Sequence, residues 1–397
     1  MKALSRTVCG IERSPIRAML DSATRFPDAI HLEIGQPDFP TPSHIVEAAV
    51  RAARHAYTGY TANAGMRELR EAVVVKLARE NAMQASPDEV IVTVGGMEAV
   101  FASMAVLLDP GDEILLPDPG YGNFNMAAGI LNGVCRVYPT LADQDFAPDF
   151  DALEGLVGPR TKAMLVSSPS NPTGAVYSES VLRQCLAFCQ RHDLYLISDE
   201  TYDRLVFEGE HISPARWDTE GRVITIFTTS KTYSMTGWRV GYAVASRQVI
   251  AAISKIQEPL VSCVNTVAQH AAVAALLGPQ DCVHEMLEHY RRRRDLAVAE
   301  ARANGLTVSY PHGAFYMLVD ISSQPDDSLT FSRGLLEAEH VAVAPGSSFG
   351  TLCDGYVRLS LCASEAALVA GIPRLARHLA TVSAPPQMIT LSRARVA

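Results

Sequence analysis

A chain of 397 residues is too long for one hydrophobic core and suits two packed domains. Its 48% hydrophobic and 19% charged residues are those of an ordinary globular protein, and a net charge of -9 with scattered Lys and Arg argues against a nucleic-acid surface. No apolar run reaches the length of about 18 residues that a membrane span needs, and Met1–Leu20 lacks the continuous apolar core of a signal peptide.

Taken in chain order, apolar helical periodicity predicts helices over Ser43–His55 and Met66–Glu80. A strand at Val90–Val94 meets Gly95-Gly96, and a helix follows from Met97 to Leu108. Asp109-Pro110-Gly111-Asp112 reads as a turn before a strand at Glu113–Leu116. Further strands are expected at Ala163–Ser167, Leu194–Ser198, Val223–Thr228 and Val240–Val244, with a helix at Ser180–His192. Such alternation predicts an α/β domain with a mainly parallel sheet. Long helical tracts start near Arg247 and Gln280, mixed elements follow Gly305, and a helix is expected near Glu365–Leu379. The expected division is residues 1–45 as an N-terminal segment and part of a smaller domain, 46–284 as the large domain, 285–380 as the small α/β domain and 381–397 as a loose tail.

The eight cysteines are dispersed in apolar surroundings, which suits a reduced, cytosolic protein. Cys185 and Cys189 sit at i,i+4 without matching His residues, so packed thiols are expected and no metal site. The run Arg291–Arg294 lies in a helical pattern and reads as a solvated helix face.

In open α/β sheets, ligands bind beyond the carboxyl ends of the strands. Gly95-Gly96 follows the first predicted strand and can present backbone N–H groups to a phosphate at a helix start. Asn171 follows another strand in Ser168-Pro169-Ser170-Asn171-Pro172-Thr173-Gly174. Asp199-Glu200-Thr201-Tyr202 and Thr228-Thr229-Ser230-Lys231 follow two more. Singly these are a tight turn, a turn, a cap and a surface lysine. Together they bring an anion site, an amide, a carboxylate, a phenol and an amine to one rim.

These segments, with Ser230-Lys231-Thr232-Tyr233-Ser234-Met235-Thr236-Gly237-Trp238-Arg239, resemble the class I and II aminotransferases of the pyridoxal 5'-phosphate (PLP) fold type I, and bacterial and archaeal aspartate and aromatic aminotransferases among them. Gly35-Gln36-Pro37-Asp38-Phe39, Tyr60, Pro311-His312-Gly313-Ala314-Phe315-Tyr316 and Val357-Arg358-Leu359-Ser360 extend the resemblance to nearly the whole chain.

The resemblance implies a PLP enzyme in which Lys231 forms a Schiff base with the cofactor and then moves the substrate proton. Asp199 would pair with the pyridine nitrogen, and Asn171 and Tyr202 would bond the phenolic oxygen. Tyr121 would stack on the ring. Arg239, Thr228, Ser230, Gly95 and the amides of Gly96 and Met97 would cradle the phosphate. Tyr60 would reach the phosphate of a neighbouring subunit, which implies a homodimer with shared sites. Arg358 would clamp the substrate α-carboxylate, with Asn171 beside it, Gly35 over it and Phe315 in the pocket wall.

The implied reaction passes an amino group from an amino acid to a 2-oxo acid, with 2-oxoglutarate as the acceptor the family suggests. The same carbanion can instead lead to elimination, replacement, cyclisation or decarboxylation. A rival of another class is a non-catalytic sensor module, against which stand the lack of a basic face and of a helix-turn-helix extension. Thr201 departs from the family's usual aliphatic residue, and no second arginine for a distal carboxylate stands out.

Overall fold

The computed structural model describes residues 1–11 and 13–383. Its centre is a seven-stranded sheet built from β1 (Val90–Thr93), β2 (Glu113–Asp118), β3 (Val134–Pro139), β4 (Thr161–Ser167), β5 (Tyr195–Asp199), β6 (Val223–Thr228) and β7 (Gly241–Val244). The spatial order is β1-β7-β6-β5-β4-β2-β3. All pairings are parallel except those of β7, which runs antiparallel to both β1 and β6.

Strand alternation explains why both faces are apolar. Ile114, Leu116 and Leu165 pack with helices Gly96–Leu107 and Arg247–Val261 on one face. Their neighbours Leu115, Met164 and Val166 pack with helix Glu179–Arg191 on the other. A parallel sheet covered on both sides reads as continuous apolar runs, which is why these strands were visible in the sequence. β3 was not, because its middle residues Arg136 and Val137 are exposed at the sheet edge.

Helix Glu179–Arg191 starts at Ser178, whose hydroxyl accepts from the Val181 N–H. Cys185 and Cys189 are both buried in its apolar face as free thiols, and burial pushes the Cys189 thiol up to about 12. Among the described residues no His, Cys, Asp or Glu cluster suits a metal ion, and no helix is long and apolar enough to cross a membrane.

A second sheet holds β8 (Tyr316–Asp320), β9 (Ala344–Pro345) and β10 (Tyr356–Ser360), with β10 central and antiparallel to both neighbours. Helices Asp281–Ala303, Ser328–Glu339 and Glu365–Ser383 complete this part of the chain. The divisions expected after residues 45 and 284 fall inside the first turns of helices Ser43–Arg54 and Asp281–Ala303. We propose to place them in the preceding connections, since a domain boundary inside a continuous helix is poorly suited to hinge motion. Thr381–Ser383 continue the last helix, and the remainder of the expected tail lies outside the described residues.

One expectation is corrected. The Arg291–Arg294 run is not a solvated face, because Arg293 and Arg294 are buried. Arg293 grips Asp38 with two parallel bonds of 2.8 and 2.7 Å and also donates to the Cys362 carbonyl. Arg294 lies over Tyr310 and donates to the Pro311 carbonyl at 3.0 Å. Three-residue and four-residue steps along a helix share a face, but adjacent residues do not, so a run of four must place some members inward.

Asp38 ends a segment that ties the two sheets together. Ile30–His31 pair in parallel with Val341–Ala342, and the Leu32 carbonyl accepts from the Ser360 N–H. Residues 33–38 then cross the cleft between the sheets, and Arg293 holds their far end.

Candidate active site

A cleft of about 760 Å³ opens at the carboxyl ends of the parallel strands. That volume suits a small organic ligand with a cofactor. Lys231, Asp199, Asn171, Tyr202, Thr228, Ser230, Arg239, Tyr121, Gly96, Met97, Gly35 and Arg358 all line it.

Strand geometry accounts for the convergence. β4, β5 and β6 are parallel neighbours, so the loops that leave their carboxyl ends arrive on the same rim. β1 is antiparallel to β7, and β7 to β6, so β1 also points its carboxyl end there. The reversed β7 begins at that rim, which returns Arg239 to it.

Lys231 sits in the four-residue helix Thr229–Thr232. Its Nζ donates to the Gly35 carbonyl at 2.7 Å. Burial lowers the amine's pKa to about 8, and the nearby Arg358 and Arg239 cations push in the same direction. Gly35 must be glycine for space: a Cβ there would lie against the Tyr316 hydroxyl and within 2.9 Å of its ring.

Asp199 is buried at the end of β5. Its Oδ1 accepts from the Thr201 hydroxyl at 2.6 Å and the Thr201 N–H at 3.1 Å. Its Oδ2 accepts no hydrogen bond among the described residues, and no cation pairs with it. Burial therefore pushes the carboxyl up to about 6, against the pull of the Thr201 bonds. The adjacent Glu200 is turned away, held by Ser198, Ser213 and His211.

The raised pKa of Asp199 bears on stability. A folded carboxyl held above its ordinary 3.8 costs the fold stability as pH rises from about 4 through about 6. Asp199→Asn should therefore raise the melting temperature of the cofactor-free protein by several degrees at about pH 7.5, and by little at about pH 4, with ~3 kcal/mol as the upper bound. Thermal melts across pH check this. A gain independent of pH would show that buried charge is not its source.

At the other end of the cleft, helix Gly96–Leu107 presents its N-terminal amides, and Gly95 precedes it with φ +76°. A Cβ on Gly95 would press on the Arg239 guanidinium, 2.8 Å from its Cζ. Arg239, itself at φ +56°, donates to the Thr236 carbonyl at 3.0 Å and makes no ion pair among the described residues. Helix-start amides, an exposed guanidinium and the absence of any acidic partner form an anion site. The Thr228 hydroxyl is partly committed, since it caps the Lys231 helix by accepting from the Ser230 N–H at 3.1 Å.

Arg358 lies on β10 and is 2% exposed. Nη1 donates to Asn171 Oδ1 at 3.0 Å and Nη2 to the Glu33 carbonyl at 2.6 Å, while Nε has no partner among the described residues. The guanidinium rests over the Tyr316 ring at 4.2 Å. A buried guanidinium with an open N–H and no carboxylate is built for an acidic ligand.

Three expected residues do not line the cleft: Gly95, which precedes the helix-start amides, Phe315 and Tyr60. Phe315 is fully buried behind it, edge-on to Tyr202, and Tyr316 lines the cleft instead. Tyr316 opens β8, whereas Phe315 lies in the turn before it and packs its ring against Tyr202 and Tyr290. The Tyr316 hydroxyl meets that of Tyr202 at 3.0 Å, and burial pushes the Tyr316 phenol up to about 12. Tyr60 is 92% exposed and does not line the cleft.

Sequence reasoning missed Tyr316, the Glu33 carbonyl and helix Pro15–Ala23, which brings Ile16, Arg17 and Leu20 to the mouth. The signal for Tyr316 was its place next to Phe315 in the motif that ends Ala314-Phe315-Tyr316. Nothing local marked Arg17 or Glu33.

The donor set fits PLP: an unpaired buried carboxylate for a pyridine nitrogen, an amine of lowered pKa for an aldehyde, and an anion site for a phosphate. A family model described as aminotransferase class I and II matches residues 27–373. An aspartate/prephenate aminotransferase of Thermus thermophilus is 40% identical over 96% of this chain and 99% of its own length. A probable aspartate/prephenate aminotransferase of Aquifex aeolicus is 38% identical over 95% of this chain and 99% of its own. The solved structure of the Thermus thermophilus aspartate aminotransferase with maleate superposes with a TM-score of 0.92 at 39% identity, covering 95% of this chain and all of that one.

Proposed function

The chain belongs to the class I and II aminotransferases, fold type I enzymes that move an amino group from an amino acid to a 2-oxo acid, and from that premise we propose that Lys231, Asp199 and Arg358 carry the reaction in the cleft with PLP as cofactor. The observation that carries this reading is one cleft lined by the Lys231 amine, held by the Gly35 carbonyl, by the buried Asp199 carboxylate and by the buried, carboxylate-free Arg358.

PLP, when bound, supplies an electron sink for the charge left at the substrate Cα. Asp199 would offer its free oxygen to the pyridine nitrogen, and Arg239 with the Gly96 and Met97 amides would hold the phosphate. Asn171, Tyr202 and Ser230 would complete the contacts, and Tyr121, which lines the same cleft, would stack on the ring. Arg358 binds the α-carboxylate, oriented by Asn171 and the Glu33 carbonyl. The Lys231 amine, brought within reach of neutral pH, would take the Cα proton and return it two atoms along, on the carbon beyond the amino nitrogen. Tyr316 and the segment from Glu33 to Gln36 form one wall of the site.

The substrates we propose are acids with a second carboxylate, such as aspartate with 2-oxoglutarate. The Thermus thermophilus and Aquifex aeolicus relatives are named for aspartate, and the maleate held by the solved Thermus thermophilus enzyme is a dicarboxylate. In this chain Arg17 at the cleft mouth has no acidic partner among the described residues. It lies near enough to Tyr121 for its cation to oppose the rise that burial causes in that phenol. Arg17→Ala should raise KM for dicarboxylic substrates about tenfold or more and leave alanine and phenylalanine nearly unchanged, as loss of one charge-assisted contact predicts. A donor screen on both proteins, scored by oxo-acid production, tests the activity and the residue together. Equal losses on all donors would remove Arg17 from substrate recognition.

We further propose a homodimer in which the exposed Tyr60 reaches the partner's phosphate site. The exposed Leu260 and Leu277 give the chain apolar surface for such contact. Cytosolic residence is supported by eight free cysteines.

A further inference from the structure

We propose that Thr201 is a positioning residue for the cofactor ring, whose hydroxyl fixes the Asp199 carboxylate through Oδ1 and so leaves Oδ2 for the pyridine nitrogen. The proposal rests on the reading of Asp199 given above.

Two donors of Thr201 meet the same oxygen. The N–H bond of 3.1 Å closes a local turn that any residue could make. The hydroxyl bond of 2.6 Å is additional and needs a Ser or Thr. Asp199 takes no other side-chain hydrogen bond among the described residues. Its charged neighbours are few. Glu200 adds a repelling charge, and Tyr121, in the same cleft, lies near enough to feel the charge of Asp199. Lys231, Arg239 and Arg358 line the same cleft, but none pairs with Asp199.

The consequence is chemical. A hydrogen bond to a carboxylate favours its charged form, and an anion beside the ring nitrogen keeps that nitrogen protonated. Thr201 thus opposes the burial that would neutralise Asp199. It also holds a fixed place, since its Oγ1 lies 3.5 Å from where a Cβ of Gly96 would stand, between the carboxylate and the helix start. A valine there would keep the shape and lose only the hydroxyl.

The test uses the holoenzyme and its Thr201→Val, Thr201→Ser and Asp199→Asn variants. With PLP labelled with nitrogen-15, the ring-nitrogen signal should change from protonated to neutral about one pH unit earlier on raising pH in Thr201→Val than in the parent. Equilibrium dialysis should show PLP held about tenfold more weakly in Thr201→Val, the loss of one bond to a charged group. The value of kcat should fall while KM for the amino acid holds, because Arg358 and Arg17 are untouched. Thr201→Ser should restore the signal and the affinity. A parent-like nitrogen signal and affinity in Thr201→Val would overturn the proposal, as would a serine variant that behaves like the valine one. If Asp199→Asn changes the signal and Thr201→Val does not, only the role of Thr201 fails. If Asp199→Asn changes nothing, the reading of Asp199 fails with it.

Discussion

Lys231→Ala should abolish transamination, with turnover of aspartate and 2-oxoglutarate falling by about 10³-fold or more, within the range that loss of a positioned acid–base group and nucleophile gives. The lysine is placed for both tasks. Its amine is half-buried and lowered to about 8, so a usable fraction is neutral near physiological pH. Its only hydrogen bond among the described residues is to the Gly35 carbonyl, which accepts but cannot replace the proton transfer. The variant should still hold PLP, because Asp199 and Arg239 remain. Borohydride reduction followed by mass spectrometry separates the two roles. The parent should retain the cofactor covalently at Lys231, and the variant should release it on denaturation. Near-normal turnover in the alanine variant would sink the assignment.

Arg358→Ala should lower kcat/KM for every amino acid by about 10²- to 10³-fold, because truncating a buried, hydrogen-bonded charged partner costs roughly 2–5 kcal/mol. The environment supports the upper part of that range. The guanidinium is 2% exposed, its Nη atoms are oriented by Asn171 and the Glu33 carbonyl, and Nε is left open. Water can replace little of this in a buried cleft. Arg358→Lys should recover only part of the loss, since an ammonium cannot make two parallel bonds to a carboxylate. The contrast with Arg17→Ala is diagnostic: Arg358 should matter for all amino acids, Arg17 only for those with a second acid. Steady-state kinetics on aspartate and alanine distinguish the two, and equal effects of Arg358→Ala and Arg17→Ala on alanine would refute this division.

The parts of the site that were legible in the sequence share a cause. Gly95, Asn171, Asp199 and Lys231 each stand at or just past the end of a buried apolar strand, and parallel strands must bring their carboxyl-end loops to one edge. Lys231 and Arg239 lie close in sequence, so their joint presence could be read before the fold was known. Phe315 was legible as a segment but not as a residue. The choice between it and Tyr316 depends on how the chain turns into β8, and both residues are aromatic. Arg293 and Arg294 failed for a similar reason: a charge run looks solvated until Asp38 and the Pro311 carbonyl are known to face it.

The sequence by itself therefore determined the local and periodic features: the apolar strands, the helices between them, and the chemistry at each strand's end. Burial of both sheet faces makes those signals strong. The remaining features are non-local. The reversed β7 returns Arg239 to the rim, and residues 33–38 lay two carbonyls on Lys231 and Arg358. Helix Pro15–Ala23 brings Arg17 to the cleft mouth. The two carbonyl contacts join residues nearly 200 positions apart or more, where no spacing rule reaches, and the pKa shifts of Lys231 and Asp199 come from the burial that the assembled cleft imposes.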